Sequence, residues 1–314
     1  MSCCLVLAYN EEKYISDYII ELSKIFEEII VVNDNSTDKT LEKLENLNIN
    51  NLTILNNKKN KGAGMSLLNG IKYFLSTEHK YMIKVDGDGQ FKVKDIINLN
   101  SLSKLGYDFI KGDRFWSEGV EGSIPLIRYI GNTIASILIK ISTGNWKIND
   151  PLNGLFYFSK KSLENFYLPK IFERYGYPFY INIYMNTLAL RNNLKIGQIK
   201  NTIQYREEES RLKPSIMLVK LSFYTIHSFL SKIKLKFKYS SLQVSAFLDI
   251  IFIFFLINTF YSGINLLLIT FGIIDRPKAS WLFLTLILFL FSFTSFYYSQ
   301  VYEKEVRSKY FEIL

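Results

Sequence analysis

The sequence predicts an α/β head with a mostly parallel sheet flanked by helices, followed by juxtamembrane helices and a two-helix transmembrane hairpin. Three observations point there. Apolar runs of strand length alternate with segments of helical period through the first hundred residues, which is the signature of βαβ units. The polar clusters of that half fall directly after the apolar runs, where open parallel sheets bind their ligands. Towards the C-terminus, apolar residues collect in two stretches long enough to cross a hydrocarbon core as helices.

Taken in order, residues 3–8, 29–32, 52–55, 81–85 and 109–110 are predicted strands. Residues 13–26, 39–45, 65–75 and 93–105 have apolar positions three and four apart and are the helices between them. No signal peptide is expected, because Met1 runs straight into the first strand without a basic segment or a cleavage-like site. Cys3 and Cys4 are adjacent on that strand and point to opposite faces, which argues against a disulfide between them and for two small buried side chains.

Three strand ends carry the polar residues. Tyr9-Asn10-Glu11 follow the first strand, Asn33-Asp34-Asn35-Ser36 the second and Asp86-Gly87-Asp88-Gly89-Gln90 the fourth, so they converge on one crevice. Ser36 and Asp38 read as caps of the following helix. Asp34, at the strand terminus itself, is placed to accept from a nucleobase or ribose.

Asp86, Asp88 and Gln90 offer hard oxygen donors in a glycine-rich turn, which suits a divalent cation that keeps open positions for substrate phosphates. A calcium loop of the EF-hand type is excluded, since Phe91 stands where that loop needs glycine and Ile97 where it needs its bidentate glutamate. On these five residues alone, a solvated turn after a strand stays open. Asn60-Lys61-Gly62-Ala63-Gly64 is not a dinucleotide fingerprint, because Leu67 occupies the place of the third glycine, and no P-loop is present. Its free backbone amides at a helix start, with Lys61 beside them, are still suited to a phosphate. Arg114, Arg128, Arg206 and Arg211 follow later in the chain, and arginine suits bidentate phosphate binding, although each alone also reads as a solvated surface residue.

Residues 246–274 carry only Asp249 as a charge and residues 280–302 carry none, so two transmembrane helices are predicted, joined by Asp275-Arg276-Pro277-Lys278-Ala279. Lys232, Lys234, Lys236 and Lys238 precede the first span and Lys304, Arg307 and Lys309 follow the second, against Arg276 and Lys278 in the loop. The positive-inside rule then puts both flanks in the cytoplasm. The organisation expected is a cytosolic head over 1–212, a juxtamembrane interfacial segment over 213–245, the two spans, and a cytoplasmic tail over 303–314. Residues 213–238 read as one or two interfacial helices, though the alternation over 232–236 also fits a strand. The net charge of +9 is explained by membrane lipids beside the spans rather than by nucleic acid. The sequence is compatible with a homo-oligomer.

With these residues in view, almost the whole chain resembles family-two glycosyltransferases of the GT-A (nucleotide-diphospho-sugar transferase) fold, and among them the polyprenyl-phosphate glycosyltransferases of the dolichol-phosphate mannose synthase type. Leu7-Ala8-Tyr9-Asn10-Glu11 is similar to that family's opening element, residues 31–38 to its second, residues 60–70 to its glycine-rich helix start and 86–90 to its metal motif. Residues 111–115, 128–132, 150–154 and 206–211 follow in the family's order. The resemblance implies that Tyr9, Glu11, Asp34 and Asp86 contact the nucleotide sugar, and that Asp86, Asp88 and Gln90 hold Mg²⁺ or Mn²⁺ on its diphosphate. It implies catalytic roles for Asp88, Arg114, Arg128 and Arg206, and acceptor-phosphate contacts from Arg128, Arg206, Ser210 and Arg211. The chain departs from the pattern at Leu7, Asn33, Glu209 and Arg211, where the family has Pro, Asp, Gly and Lys.

No Asp or Glu occurs between Arg174 and Arg206, which leaves that stretch without a general base for a sugar hydroxyl. A lipid monophosphate is already an anionic nucleophile and needs positioning instead. His79 precedes its strand at the wrong end and His227 lies in the membrane-adjacent segment, so both read as structural. The leading expectation is inverting, metal-dependent transfer of a hexose from a UDP- or GDP-linked sugar to undecaprenyl or dolichyl phosphate at the cytoplasmic membrane face. Transfer to a hydroxyl of a lipid-linked or capsular saccharide and a non-catalytic membrane scaffold are the alternatives.

Overall fold

The computed structural model describes residues 2–115, 120–121, 126–144, 146–164, 176–192, 194–204, 214–238, 240–307 and 311–313. By contact the chain divides into a head, Met1–Ser228 with Tyr310–Leu314, and a second unit, Phe229–Lys309.

The strands are β1 (Ser2–Ala8), β2 (Glu28–Asn33), β3 (Leu52–Asn56), β4 (Tyr81–Asp86), β5 (Phe109–Asp113), β6 (Val120–Glu121), β7 (Phe156–Ser159), β8 (Ile196–Lys200), β9 (Ile203–Gln204) and β10 (Phe311–Ile313). The helices are α1 (Ile15–Ser23), α2 (Thr40–Glu45), α3 (Ala63–Ser76), α4 (Val93–Ser101), α5 (Leu126–Thr143), α6 (Lys160–Leu163), α7 (Tyr177–Asn192), α8 (Pro214–Lys236), α9 (Gln243–Thr270) and α10 (Lys278–Arg307). Eight strands form one sheet in the order β10-β8-β5-β7-β4-β1-β2-β3, and β6 pairs with β9 in a small second sheet. All pairings in the large sheet are parallel except those of β7 with β4 and β5.

The sheet is covered on both faces, which is why its strands are continuous apolar runs. Along β1, Cys3, Leu5 and Leu7 enter one core with Leu67, Ile71 and Phe74 of α3, while Cys4, Val6 and Ala8 enter the other with Ile15, Ile19 and Leu22 of α1. Both cysteines are buried and free. The order places β1 between β2 and β4, so the chain reverses its direction of winding there, and the ends of these three strands frame a crevice.

The predicted strands are all present. The fifth extends to Asp113, because Lys111 and Asp113 are buried in spite of their charge. The predicted helix over 93–105 ends at Ser101 and continues as one 3₁₀ turn over Leu102–Leu105, closed by Gly106 in the left-handed region. Within the segment expected as a tail, 303–307 complete α10, and Phe311–Ile313 pairs in parallel with β8 at the sheet edge.

In the second unit, α9 and α10 are each long and apolar enough to cross a membrane, with mean hydropathy of 2.0 and 1.9 in their most apolar windows. Only 17% and 11% of those windows are buried, which is not the pattern of core helices in a soluble protein. Residues 232–236 are helical and not a strand. Two of the lysines expected at the membrane surface are used internally. Lys232 and Lys236 are buried with Asp249 and Glu303, and Lys236 Nζ donates to Asp249 Oδ2 at 2.5 Å and to Ser245 Oγ at 2.7 Å. Lys236 also pairs with Glu303, and Ser299 Oγ donates to Asp249 Oδ1 at 2.5 Å. Such a cluster is expected at a helix junction, where charges held out of water need partners.

Candidate functional site

The loop after β1 is locked to the loop after β2. Asn10, at φ 60°, accepts from the amide of Thr37 at 2.8 Å through Oδ1, while its own amide donates to Ser36 Oγ at 3.0 Å. Asparagine tolerates this left-handed conformation better than most residues. The Glu11 amide donates to Thr40 Oγ1 at 2.7 Å and the Glu12 amide to Asp38 Oδ2 at 3.2 Å. Asp38 also accepts from the Thr40 amide at 3.0 Å, as a cap would. Ser36 does not cap α2: its hydroxyl donates to Asn33 Oδ1 at 2.6 Å and accepts from the Asn10 amide of the neighbouring loop at 3.0 Å.

Asp34 is 4% exposed and accepts from three groups. Asn57 Nδ2 reaches Oδ1 at 2.7 Å, the Lys61 amide lies 3.0 Å from the same oxygen, and the Gly62 amide donates to Oδ2 at 2.7 Å. Gly62 stands at φ 82°, a conformation that favours glycine, and is the residue from which α3 starts. Asp34 therefore fastens the glycine-rich helix start to the end of β2.

At the end of β4, Asp86 Oδ1 accepts from Lys84 Nζ at 2.5 Å, and the same ammonium donates to the Gly154 carbonyl at 3.0 Å. Lys84 is fully buried, and burial by itself would lower its pKa. Asp86 beside it, with a further contribution from Tyr177, outweighs burial and holds the ammonium above its ordinary value. A Cβ on Gly154 would meet Asp86 Oδ2 at 2.3 Å, so only glycine leaves this carboxylate its place. Gly89, at φ 64°, turns the chain so that Asp88 Oδ1 accepts from the Gln90 amide at 3.0 Å. The Gln90 carbonyl accepts from the Gln204 amide at 3.0 Å.

Tyr9, Glu11, Asp34, Asp86, Asp88 and Gln90 line one cleft of about 290 Å³, together with Asn60, Gly62, Ala63 and Ser66. Among the described residues no group of three His, Cys, Asp or Glu stands ready to hold a metal. The donors on offer are two carboxylates and an amide oxygen, a hard oxygen set that fits a Mg²⁺- or Mn²⁺-type cation completed by diphosphate oxygens and water.

Arg114 does not line the cleft. Its Nε lies 2.9 Å from Asp150 Oδ2, and both side chains are buried. Asp150 also accepts from Asn153 Nδ2 at 3.2 Å, and Asn153 in turn donates to Asn201 Oδ1 at 2.9 Å. The segment 150–154 is thus a scaffold between β5, β4 and β8. Arg128 belongs to α5, and its side chain lies outside the described residues, as do Arg206, Ser210 and Arg211 altogether.

Sequence reasoning missed Lys84 and Lys111. Lys111 is fully buried, donates to the Asn153 carbonyl at 2.7 Å and lies 4.0 Å from the centre of the Phe156 ring; burial pushes its ammonium well below the ordinary range. The signal was a single cation inside each apolar strand, where an unpaired charge is not tolerated.

The glycosyl transferase family 2 profile matches residues 3–166. An uncharacterised protein of Methanocaldococcus jannaschii is 34% identical over 143 residues, which are 44% of this chain and 60% of that protein. The dolichol-phosphate mannosyltransferase of Pyrococcus furiosus is 24% identical over 216 residues, 67% of this chain and 58% of that one. A dolichyl-phosphate beta-glucosyltransferase of Trichomonas vaginalis is 31% identical over 149 residues, 40% of this chain and 43% of that one. The chain thus spans between 43% and 60% of the lengths of these three relatives.

Proposed function

Since the chain belongs to glycosyl transferase family 2, we propose that it carries out inverting transfer of a hexose from a UDP- or GDP-linked sugar to a polyprenyl phosphate, undecaprenyl or dolichyl, at the cytoplasmic membrane face. The observation that carries this reading is the cleft where the ends of β1, β2 and β4 gather Tyr9, Glu11, Asp86, Asp88 and Gln90, in a chain that also holds two helices of membrane-span length. Two relatives bear the names of dolichol-phosphate sugar transferases, which supports the choice of acceptor.

In this reading the cleft binds the nucleotide diphosphate, with Asp88, Asp86 and Gln90 holding a divalent cation on its phosphates. That cation would stabilise the negative charge that develops on the leaving oxygen. The start of α3, fastened to β2 by Asp34, forms one wall of the cleft. The acceptor phosphate needs no deprotonation, in keeping with the carboxylate-free stretch between Arg174 and Arg206, and Arg128, Arg206, Ser210 and Arg211 would orient it. Lys234, Lys238, Lys304, Arg307 and Lys309 outnumber Arg276 and Lys278 even with Lys232 and Lys236 buried, which favours a cytosolic head.

Membranes containing the protein are incubated with radiolabelled UDP- and GDP-sugars, with and without polyprenyl phosphate, and with and without chelator. Label is expected in the organic phase with one donor, only when both polyprenyl phosphate and divalent cation are present. Transfer that needs a saccharide acceptor instead would replace this reading by extension of a lipid-linked or capsular glycan.

A further inference from the structure

We propose that the donor taken by this cleft is a uridine rather than a guanosine diphosphate sugar, its base read by Ser66 and Asn60 on either side of Asp34. The inference rests on the transfer reaction proposed above and selects between its two donors.

In the large sheet β1 stands between β4 and β2. With neighbouring strands about 4.8 Å apart, the end of β2 lies about 10 Å from the end of β4. A diphosphate held at Asp86 and Asp88 therefore has its nucleoside within reach of Asp34, Asn60 and Ser66, which border the same cleft.

Hydrogen bonds order that wall. Asn57 Nδ2 donates to Asp34 Oδ1 at 2.7 Å and to Ser66 Oγ at 3.0 Å, and so sets Ser66 beside Oδ1. The Gly62 amide donates to Asp34 Oδ2 at 2.7 Å and lies 3.2 Å from Asn60 Oδ1, and so sets Asn60 beside Oδ2. The direction of each bond decides what remains to offer. Ser66 is 1% exposed and accepts from Asn57, and among the described residues no acceptor takes its own proton. Asn60 turns its oxygen to the Gly62 amide, which leaves its Nδ2 hydrogens to donate. Asp34 holds three donors, Asn57 Nδ2 and the amides of Lys61 and Gly62, on about four lone-pair positions, so it can accept one further N–H but not two.

The wall thus presents donor, acceptor, donor. A uracil edge is the complement, with O2 and O4 accepting on either side of a single N3–H. A guanine edge carries one carbonyl beside two donors, N1–H and the 2-amino group. That amino group would face the Asn60 amide or the Ser66 hydroxyl, with no lone pair left on Asp34 to receive it. A cytosine edge sets its bare ring nitrogen against the carboxylate. Polar groups left unpaired in the bound complex cost more than their bonds would have gained, which is how such a wall discriminates.

The test is calorimetric titration of the full-length protein in detergent with UDP, GDP and CDP in the presence of Mg²⁺. Wild type is expected to bind UDP about tenfold or more tightly than either other nucleotide. Asn60→Asp keeps an oxygen for the Gly62 amide but exchanges the donor for an acceptor; it should weaken UDP about tenfold and narrow the gap to GDP. Ser66→Ala should also narrow that gap, because UDP loses one bond while guanine can turn its amino group to the side of the alanine. GDP bound by wild type as tightly as UDP, or a UDP-to-GDP ratio unmoved in both variants, overturns the inference and leaves the transfer reaction standing with another base. If wild type binds none of the three nucleotides, the transferase reading falls and the inference with it.

Discussion

The amide of Gly62 donates to Asp34 Oδ2 at 2.7 Å and so joins the end of β2 to the residue that opens α3. The carboxylate also holds Asn57 and the Lys61 amide, so most of its acceptor capacity is spent inside the protein. In the proposed function its contribution to nucleotide binding would then be chiefly the shape of the cleft wall.

Asp34→Ala removes the acceptor for all three donors and is expected to destabilise the protein by about 3 kcal/mol, since hydrogen bonds to a buried charged group are costly to leave unmade. Denaturation of the purified protein measures this. Nucleotide affinity should fall in parallel. Lost affinity at unchanged stability would make Asp34 a direct contact to base or ribose.

Asp88 has the opposite character, being half-buried beside the cleft and not part of a core. Asp88→Ala should leave folding intact and lower turnover by a hundredfold or more, as expected when a group that stabilises developing charge is removed. Single-turnover kinetics with saturating donor checks it. Near-wild-type turnover in Mg²⁺ or Mn²⁺ would remove Asp88 from the metal site.

The arginines carry separate expectations. Arg114→Ala strands the buried Asp150 carboxylate and should cost about 3 to 5 kcal/mol of stability, with any loss of activity following from that. Arg128→Ala and Arg206→Ala should leave stability and nucleotide affinity near wild type and lower kcat/KM for the lipid by about ten- to a hundredfold. Lysine at either position should rescue only in part, because it lacks the bidentate fork. Loss of nucleotide affinity instead would assign these arginines to the donor diphosphate.

The hairpin unit makes its own prediction. Lys236→Leu leaves Asp249 and Glu303 buried with one ammonium fewer and should lower the thermal stability of the protein in detergent by more than Lys236→Leu/Asp249→Leu does, because removing one partner of a buried pair costs more than removing both. Additive losses would mean that the cluster is solvated. On the same unit, a cysteine placed near Lys278 should react with an impermeant thiol reagent from outside intact cells and one near Lys309 should not; the reverse pattern would invert the topology.

Much of this was legible in the sequence, and the reasons are local. β1 and β2 are buried on both faces and so appear as apolar runs, and the polar residues at the ends of β1, β2 and β4 announce the cleft. β7 was hidden because Phe156–Ser159 is short and antiparallel, with its partners distant in sequence. Ser36 reads as a cap until Asn10, from another loop, is seen to compete for it. For Lys84 and Lys111 the sequence shows a cation inside an apolar strand but not its partners, and only the tertiary arrangement of 150–154 brings up the Gly154 and Asn153 carbonyls that make their burial tolerable. The cluster around Lys236 is likewise a product of three helices meeting, so positive charges that read as lipid-facing turn out to be internal.

In the proposed function the sugar ends on a lipid phosphate. Its most direct test is the chemistry of the product formed from a radiolabelled donor and polyprenyl phosphate. A glycosyl phosphodiester should release the sugar in mild acid and leave polyprenyl monophosphate, with its phosphorus resonance shifted from a monoester to a diester position by the enzyme and returned by the acid. Label that survives mild acid, or that remains in the organic phase without polyprenyl phosphate, would contradict the account.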